Sequence, residues 1–181
     1  NAVINKNDIS IYDPKFPQYN DPYDLLGADV VFICVPTPNT PDVNGVLNNK
    51  YVDENLQYLV DNNFQGLVVL KSTIHPSYLL NYDLDLVSNP EFLNENTAHE
   101  DFKNQKLCLI GGRVDLCEKL KQVYLQYFDV NIKRFEFVSF EEALIFKYVR
   151  NIKIAYEVMF WEFIQDTTGN YRKFNNLLDI L

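Results

Sequence analysis

The sequence predicts an α/β fold with a doubly wound parallel sheet followed by a long central helix. Short, nearly continuous apolar runs recur along the chain, as expected of strands that are buried on both faces. Between several of these runs the apolar residues take helical spacing, and strands that alternate with helices favour a parallel sheet. From residue 139 a helical pattern continues without glycine or proline to about residue 166, which predicts the long helix.

Six short apolar or β-branched runs are the predicted strands. They span residues 9–12, 28–35, 67–71, 84–87, 107–110 and 130–135. The first run ends at Asp13-Pro14 and the second at Pro36-Thr37-Pro38, and proline at these points is typical of a strand that leads into a turn. Two helices are predicted between strands, one after the second run from its apolar spacing over 52–60 and one over 115–127.

The stretch Asn89–Glu95 places two carboxylates directly after a predicted strand. Asn89 is a good N-cap and Pro90 suits the first helical position, so a helix is predicted to begin here. Glu91 and Glu95 would then share one helix face. Such a pair could bind a ligand or transfer protons. The simpler alternative is an acidic first turn that the helix dipole stabilises and that faces water.

The long helix is predicted to open at Ser139 with a capping box that Glu142 completes. It is apolar on most of its circumference, which indicates burial on several sides and a role as a spine between domains or subunits. We therefore predict two domains, residues 1–137 with the sheet and residues 138–181 with the long helix and the start of a further helical region.

Composition excludes several functions. A formal net charge of −9 and an isoelectric point near 4.6 argue against a nucleic-acid partner. The cysteines Cys34, Cys108 and Cys117 form no metal-binding pattern and are expected to be reduced core thiols, so no metal is predicted. No apolar run has the length of a membrane span and no signal-peptide pattern begins the sequence, so we expect no membrane association and a cytoplasmic location.

Four polar residues follow predicted strands and are therefore expected at one edge of the sheet. They are Asp13, Thr37, Thr73 and Glu91. In open parallel sheets, ligands bind outside the carboxyl ends of the strands, and an acidic residue that closes an early strand is where dinucleotide folds hold the adenosine ribose. Each position also has a simpler explanation as a turn residue.

Lys147 stands on an otherwise apolar helix, where an ammonium is costly to bury unless it is paired or used. With Asn151 one turn later, it could stabilise negative charge on a substrate oxygen. The alternative is a solvated stripe of polar residues that also includes Arg150 and Lys153.

Four motifs in a fixed order give the sequence a resemblance to a known family. They are Ala-Asp-Val-Val-Phe-Ile-Cys-Val-Pro-Thr-Pro at 28–38, Leu-Lys-Ser-Thr-Ile at 70–74, Asn-Pro-Glu-Phe-Leu-Asn-Glu at 89–95 and Lys-Tyr-Val-Arg-Asn at 147–151. In this order they resemble the UDP-glucose/GDP-mannose dehydrogenase family, whose N-terminal domain has a Rossmann-like fold. The resemblance runs from the end of that domain's second strand into the central helical region.

This resemblance implies NAD as the cofactor, a UDP- or GDP-linked sugar as the substrate, oxidation of its C6 hydroxymethyl group to a carboxylate, and a homodimer through the long helix. It also implies roles for single residues. The implied cofactor-binding residues are Asp13, Pro36, Thr37, Ser72, Thr73 and Glu95, and the implied catalytic residues are Thr73, Glu91, Glu95, Lys147 and Asn151.

The sequence departs from the family pattern in two segments. The family's glycine-rich first turn and its catalytic-cysteine segment have no counterpart here, so the Rossmann-like sheet is incomplete at its N-terminal end and the chain, which begins at Asn1, is expected to be part of a longer protein. One alternative is a degenerate relative with a binding or structural role. Another is a different two-domain NAD-dependent oxidoreductase with a lysine acid-base group on its interdomain helix.

Overall fold

One five-stranded sheet organises the first part of the chain. The structure is a computed structural model that describes residues 9–38, 47–77, 81–94 and 96–170. The strands, which neighbour one another in sequence order, are β1 (Val30–Ile33), β2 (Leu67–Leu70), β3 (Asp85–Ser88), β4 (Cys108–Gly111) and β5 (Phe135–Val138). All neighbouring pairs are parallel except β3 and β4, which are antiparallel. The sheet is therefore mostly parallel, as predicted, with one reversal that the sequence did not indicate.

Helices pack on both faces of this sheet, α1 (Lys50–Asp61) on one and α3 (Val114–Tyr127) on the other. The remaining helices are α2 (Ala98–Lys103) and α4 (Phe140–Thr168), with short 3-10 turns at Pro17–Tyr19 and Pro22–Leu25. Side chains of β2 alternate between two cores because successive strand residues point to opposite faces. Val68 and Leu70 pack in the core that contains α1, whereas Leu67 and Val69 pack in the core that contains α3. The predicted doubly wound arrangement is confirmed, as are α1 and α3.

The prediction of a strand over residues 9–12 is wrong. Ile9 and Ile11 are 48% and 51% exposed, and the segment is irregular. Its alternating apolar pattern has the right propensity, but a strand also needs a ladder partner, and no strand of the described residues pairs with it.

The last predicted strand lies further along the chain than expected. Its pairing with β4 begins only at Phe135, opposite Cys108. Residues 130–134 instead follow an irregular path in which the N–H groups of Asn131 and Lys133 donate to the carbonyls of Lys103 and Gln105. Val130 and Ile132 still pack against the core that contains α3. The sequence is therefore apolar there although no regular strand forms.

The helix predicted to begin at Asn89 is also absent. Residues 89–94 are irregular, and the next helix, α2, begins at Ala98. Asn89 is only 1% exposed, so its side chain is buried in the protein instead of capping a helix at the surface.

The long helix α4 begins as predicted. Ser139 N–H donates to Glu142 Oε2 at 2.8 Å and Glu142 N–H donates to Ser139 Oγ at 3.1 Å, which confirms the capping box. After Thr168 the chain turns at Gly169, whose φ of 67° suits glycine. The chain forms two compact units that divide after Ile145, within α4. The predicted domain boundary at residues 137 and 138 stays a prediction, and the start of the further helical region, residues 171–181, lies outside the described residues.

Membrane crossing needs a helix that is both long and apolar. Within the described ranges, no helix meets both requirements.

Gly111 is expected to be sensitive to substitution, because a Cβ there would lie 2.5 Å from Ala143 Cβ and 2.6 Å from Ser139 O. We expect Gly111→Ala to lower the free energy of unfolding by about 1–3 kcal/mol through overpacking. Gly27→Ala is the matched control, since no atom lies within 4 Å of its added Cβ, and it should change stability by less than about 0.5 kcal/mol. Urea denaturation measures both, and equal effects would contradict the packing argument.

Candidate functional site

The loops that leave β1, β2 and β3 meet at one edge of the sheet. These strands are parallel, and Ile33, Leu70 and Ser88 lie in register across them. The residues that follow are therefore neighbours, which is the location where open α/β sheets bind ligands. We call this region the carboxyl edge.

Two hydroxyl groups join the loops after β1 and β2. Thr37 Oγ1 donates to the backbone carbonyl of Thr73 at 2.6 Å, and Ser72 Oγ donates to the carbonyl of Val35 at 2.7 Å. Both threonine side chains are half-buried, whereas Pro36 is exposed. The structure thus brings Pro36, Thr37, Ser72 and Thr73 together, in line with their predicted location.

The Asn89 side chain at the carboxyl edge has hydrogen bonds to four described residues. Its Oδ1 accepts from Lys71 Nζ at 3.0 Å and from the Tyr124 hydroxyl at 2.6 Å. Its Nδ2 donates to the Leu109 carbonyl at 2.7 Å and to Cys108 Sγ at 3.5 Å. Lys71 can only donate and a carbonyl can only accept, so these partners determine which end of the amide is oxygen.

The Asn89 network explains why this buried amide is tolerated. A buried polar group without partners costs about 1–3 kcal/mol, and here both ends of the amide are paired. The backbone N–H of Asn89 also donates to the Leu70 carbonyl at 2.9 Å, so β2 holds it directly. The result is a rigid connection between β2, β4 and α3.

Cys34, Lys71 and Glu91 are electrostatically coupled at the carboxyl edge. Cys34 is exposed, which corrects the expectation of a core thiol, whereas Cys108 and Cys117 are buried. The surrounding protein desolvates the Cys34 thiol and raises its pKa, Lys71 opposes this effect, and Glu91 adds to it. Half-buried Glu91 thus acts on the same thiol as the lysine after β2.

Two deeper groups of this region are protonated near neutral pH, and burial raises their pKa values further. Desolvation raises the pKa of Cys108 to about 11, although Lys71 and the hydrogen bond from Asn89 lower it in part. Desolvation raises the pKa of Tyr124 well above its usual value, so its hydroxyl keeps the proton that it donates to Asn89. Lys71 and Glu91 are thus the charged groups acting on Cys34.

Asp13 lies in a local turn. Its Oδ1 accepts from the Lys15 N–H at 3.0 Å, and its own N–H donates to the Tyr19 carbonyl at 2.7 Å. Among the described residues, no hydrogen bond joins Asp13 to Thr37 or Thr73.

The remaining predicted site residues lie elsewhere in the chain. Lys147 and Asn151 belong to the second compact unit, four residues apart on α4 and hence on one helix face. Lys147 is half-buried and Asn151 is exposed. Glu95 lies outside the described residues.

Sequence reasoning missed Lys71, Asn89 and Tyr124 as members of the site. Lys71 could have been found, because it directly follows a fully buried strand and an ammonium is costly to bury there unless it is paired or used. The same argument selected Lys147. Asn89 was misinterpreted as an N-cap, and Tyr124 follows the apolar pattern of its helix without any sign of its polar contact.

The Tyr124 hydroxyl bond should contribute measurably to stability. We expect Tyr124→Phe to lower the free energy of unfolding by about 1 kcal/mol, because one buried donor to Asn89 is lost while the ring still packs. Tyr127→Phe on the same helix is the control and should have little effect, since Tyr127 is 47% exposed. Thermal unfolding of both variants tests this, and an unchanged Tyr124→Phe midpoint would argue against the bond.

Comparison with known proteins identifies the chain's family. Residues 18–128 match the model of the UDP-glucose/GDP-mannose dehydrogenase family, NAD binding domain. A UDP-glucose 6-dehydrogenase of Rickettsia felis is 26% identical over 184 residues, covering 88% of this chain and 40% of that protein. An uncharacterized protein of Methanocaldococcus jannaschii, MJ1054, is 32% identical over 148 residues, covering 75% of this chain and 16% of that protein.

Solved structures agree with this match. A GDP-mannose dehydrogenase from Pseudomonas aeruginosa has the same fold, with a TM-score of 0.75 at 24% identity over 88% of this chain and 41% of that chain. A UDP-glucose dehydrogenase from Pyrobaculum islandicum gives a TM-score of 0.68 at 27% identity over 78% and 35%. The chain spans about two fifths of the UDP-glucose 6-dehydrogenase it matches. It belongs to the UDP-glucose/GDP-mannose dehydrogenase family, in which it carries the domain that binds the cofactor NAD.

Proposed function

We propose that the protein containing this chain is an NAD-dependent nucleotide-sugar dehydrogenase that oxidises the C6 hydroxymethyl group of a UDP- or GDP-linked sugar to a carboxylate. The observation that carries the proposal is the carboxyl edge, where the loops of Thr37 and Thr73 are joined after β1 and β2 and where Glu91 follows β3, the neighbour of β2. The names of the relatives, UDP-glucose 6-dehydrogenase and GDP-mannose 6-dehydrogenase, support the substrate class.

The groups at this edge suit NAD. The Thr37 hydroxyl donates its hydrogen bond to the Thr73 carbonyl, so its oxygen can still accept one from a ribose hydroxyl or an amide. The half-buried Thr73 hydroxyl has no hydrogen-bond partner among the described residues and can both donate and accept. We assign Pro36, Thr37, Ser72 and Thr73 to cofactor binding, together with Asp13 and Glu95.

The reaction requires two successive two-electron oxidations. Bound NAD would supply the hydride acceptor for each of them. Glu91 is a carboxylate of the kind that takes a proton from the substrate hydroxyl or from water, and we assign it this role with Glu95. Thr73 orients that hydroxyl or water. Lys147 and Asn151 supply the N–H donors that stabilise negative charge on the substrate oxygen.

None of this chain's cysteines suits the nucleophile of a covalent step. A thiolate is the reactive form, and desolvation raises the pKa of Cys34, Cys108 and Cys117. We therefore assign no catalytic thiol here.

NADH formation by the full-length protein tests the proposal. With NAD and a panel of UDP-glucose, other UDP-sugars and GDP-mannose, we expect absorbance at the NADH band with at least one sugar. Glu91→Gln should lower the rate by about 100-fold or more, because general acid-base catalysis contributes about that much. Glu141→Gln, an exposed carboxylate in the first turn of α4, is the control and should retain activity.

Two outcomes would count against this function. No NADH with any sugar of the panel would contradict it. Tight NAD binding by calorimetry without turnover would favour a relative with a binding role.

We further propose that α4 mediates a homodimer. Its exposed face carries a stripe of large apolar side chains at alternating steps of three and four residues, the spacing of helices that pair. The stripe consists of Val149, Ile152, Tyr156, Met159 and Phe163, which are 58% or more exposed. A single exposed apolar residue is ordinary, but a continuous stripe of this kind marks an interaction surface.

A charge in the α4 stripe should break the dimer. We expect Ile152→Glu to raise the dissociation constant at least about tenfold, which corresponds to about 1.4 kcal/mol. Ile154→Glu is the matched control, because Ile154 is exposed but lies two residues away and outside the stripe. Sedimentation velocity at micromolar concentration measures the dimer fraction of the wild-type protein and of both variants. A wild-type protein that is monomeric there, or equal effects of both variants, would remove the stripe as the interface.

A further inference from the structure

Lys71 and Asn89 form a polar pair to which the proposed reaction gives no role. Lys71 is half-buried at the carboxyl end of β2, and its ammonium donates to Asn89 Oδ1 at 3.0 Å. A free lysine side chain has four rotatable bonds and extends its charge into water where it can. Here the contact with a buried acceptor holds the charge against the sheet.

Asn89 is suited to hold this charge in one place. Tyr124 on α3 and the Leu109 carbonyl on β4 determine its side-chain position, and Leu70 on β2 fixes its backbone. Three elements of the core therefore determine where Oδ1 lies. Because Asn89 is held in the core, its Oδ1 atom binds the Lys71 ammonium at a fixed position.

We propose that Asn89 is a positioning residue which fixes the Lys71 ammonium at the carboxyl edge, beside Cys34 and Glu91, and that this fixed cation makes the edge favourable for anionic ligands. The chain as a whole carries a formal net charge of −9, so a cation held at this edge would counter the general repulsion of such ligands. This inference deepens the proposed function, because NAD and nucleotide sugars are both anionic.

Cys34 provides a direct readout of the Lys71 charge. The residue is exposed, and its thiol is coupled to Lys71 and Glu91 with opposite signs. Tyr124 and Cys108 also belong to this cluster, but their raised pKa values keep them neutral at the pH of the assay. The rate at which iodoacetamide alkylates Cys34 follows its thiolate fraction, which changes about tenfold for each unit of pKa.

The test measures Cys34 alkylation in the full-length protein from pH 7 to 9 by mass spectrometry of the Cys34 peptide. We expect Lys71→Met to slow alkylation at pH 8 by about threefold or more, because the cation that favours the thiolate is gone. Asn89→Leu should also slow Cys34 alkylation, although Lys71 is still present. The double variant should be no slower than Lys71→Met. Glu91→Gln should accelerate it.

Folding of each variant is checked by circular dichroism. If Asn89→Leu does not fold, Tyr124→Phe replaces it, since it removes one of the two donors that hold Asn89 Oδ1 and should slow alkylation to a smaller extent. An unchanged Cys34 profile in the folded Asn89→Leu variant, or in Tyr124→Phe where that variant is used, would overturn the proposal. A purely structural role for Asn89 would lower stability and leave this profile unchanged.

The alkylation assay needs neither NAD nor a sugar. A negative result therefore leaves the NADH experiment unaffected, and a lack of NADH formation leaves the positioning of Lys71 standing.

Discussion

The buried amide of Asn89 is the interaction on which both the sheet and its carboxyl edge depend. β3 and β4 are joined by only one register pair, Ser88 with Gly111. Next to that pair, the Asn89 side chain donates to the Leu109 carbonyl of β4, so an amide side chain continues where the backbone ladder stops. Replacing it would leave the carbonyl, the Tyr124 hydroxyl and the Lys71 ammonium without this partner. The Asn89 amide therefore both connects the strands of the sheet and holds the charged Lys71 at the carboxyl edge.

How far the sequence predicts the fold depends on how deeply each strand is buried. The runs that became β2 and β4 are buried at every position, and such strands read as continuous apolar stretches that are easy to recognise. β5 is only half-buried throughout, and its position was predicted too early in the chain. Residues 9–12 have the same local pattern as a strand but no pairing partner among the described residues, which local sequence does not reveal.

The site shows the same division between local and tertiary information. Thr37, Ser72 and Thr73 were predictable because parallel strands place the residues that follow them on one edge. Asn89 was not, because an asparagine before proline looks the same whether its amide caps the next helix or bonds to a distant strand. Its partners Leu109 and Tyr124 are 20 and 35 residues away in the sequence. Separation of that kind is invisible to any pattern read over a single helix or strand.

The single register pair between β3 and β4 places the end of β4 beside the end of β3. Ser88 pairs with Gly111, so the residue that closes β4 lies next to the point where the chain enters the Asn89 network. A Cβ at Gly111 would also meet Ala143 and Ser139 at the start of α4. One small residue thus adjoins both the capped start of the long helix and the edge that carries the polar groups assigned to ligands, so a change in packing there would affect both.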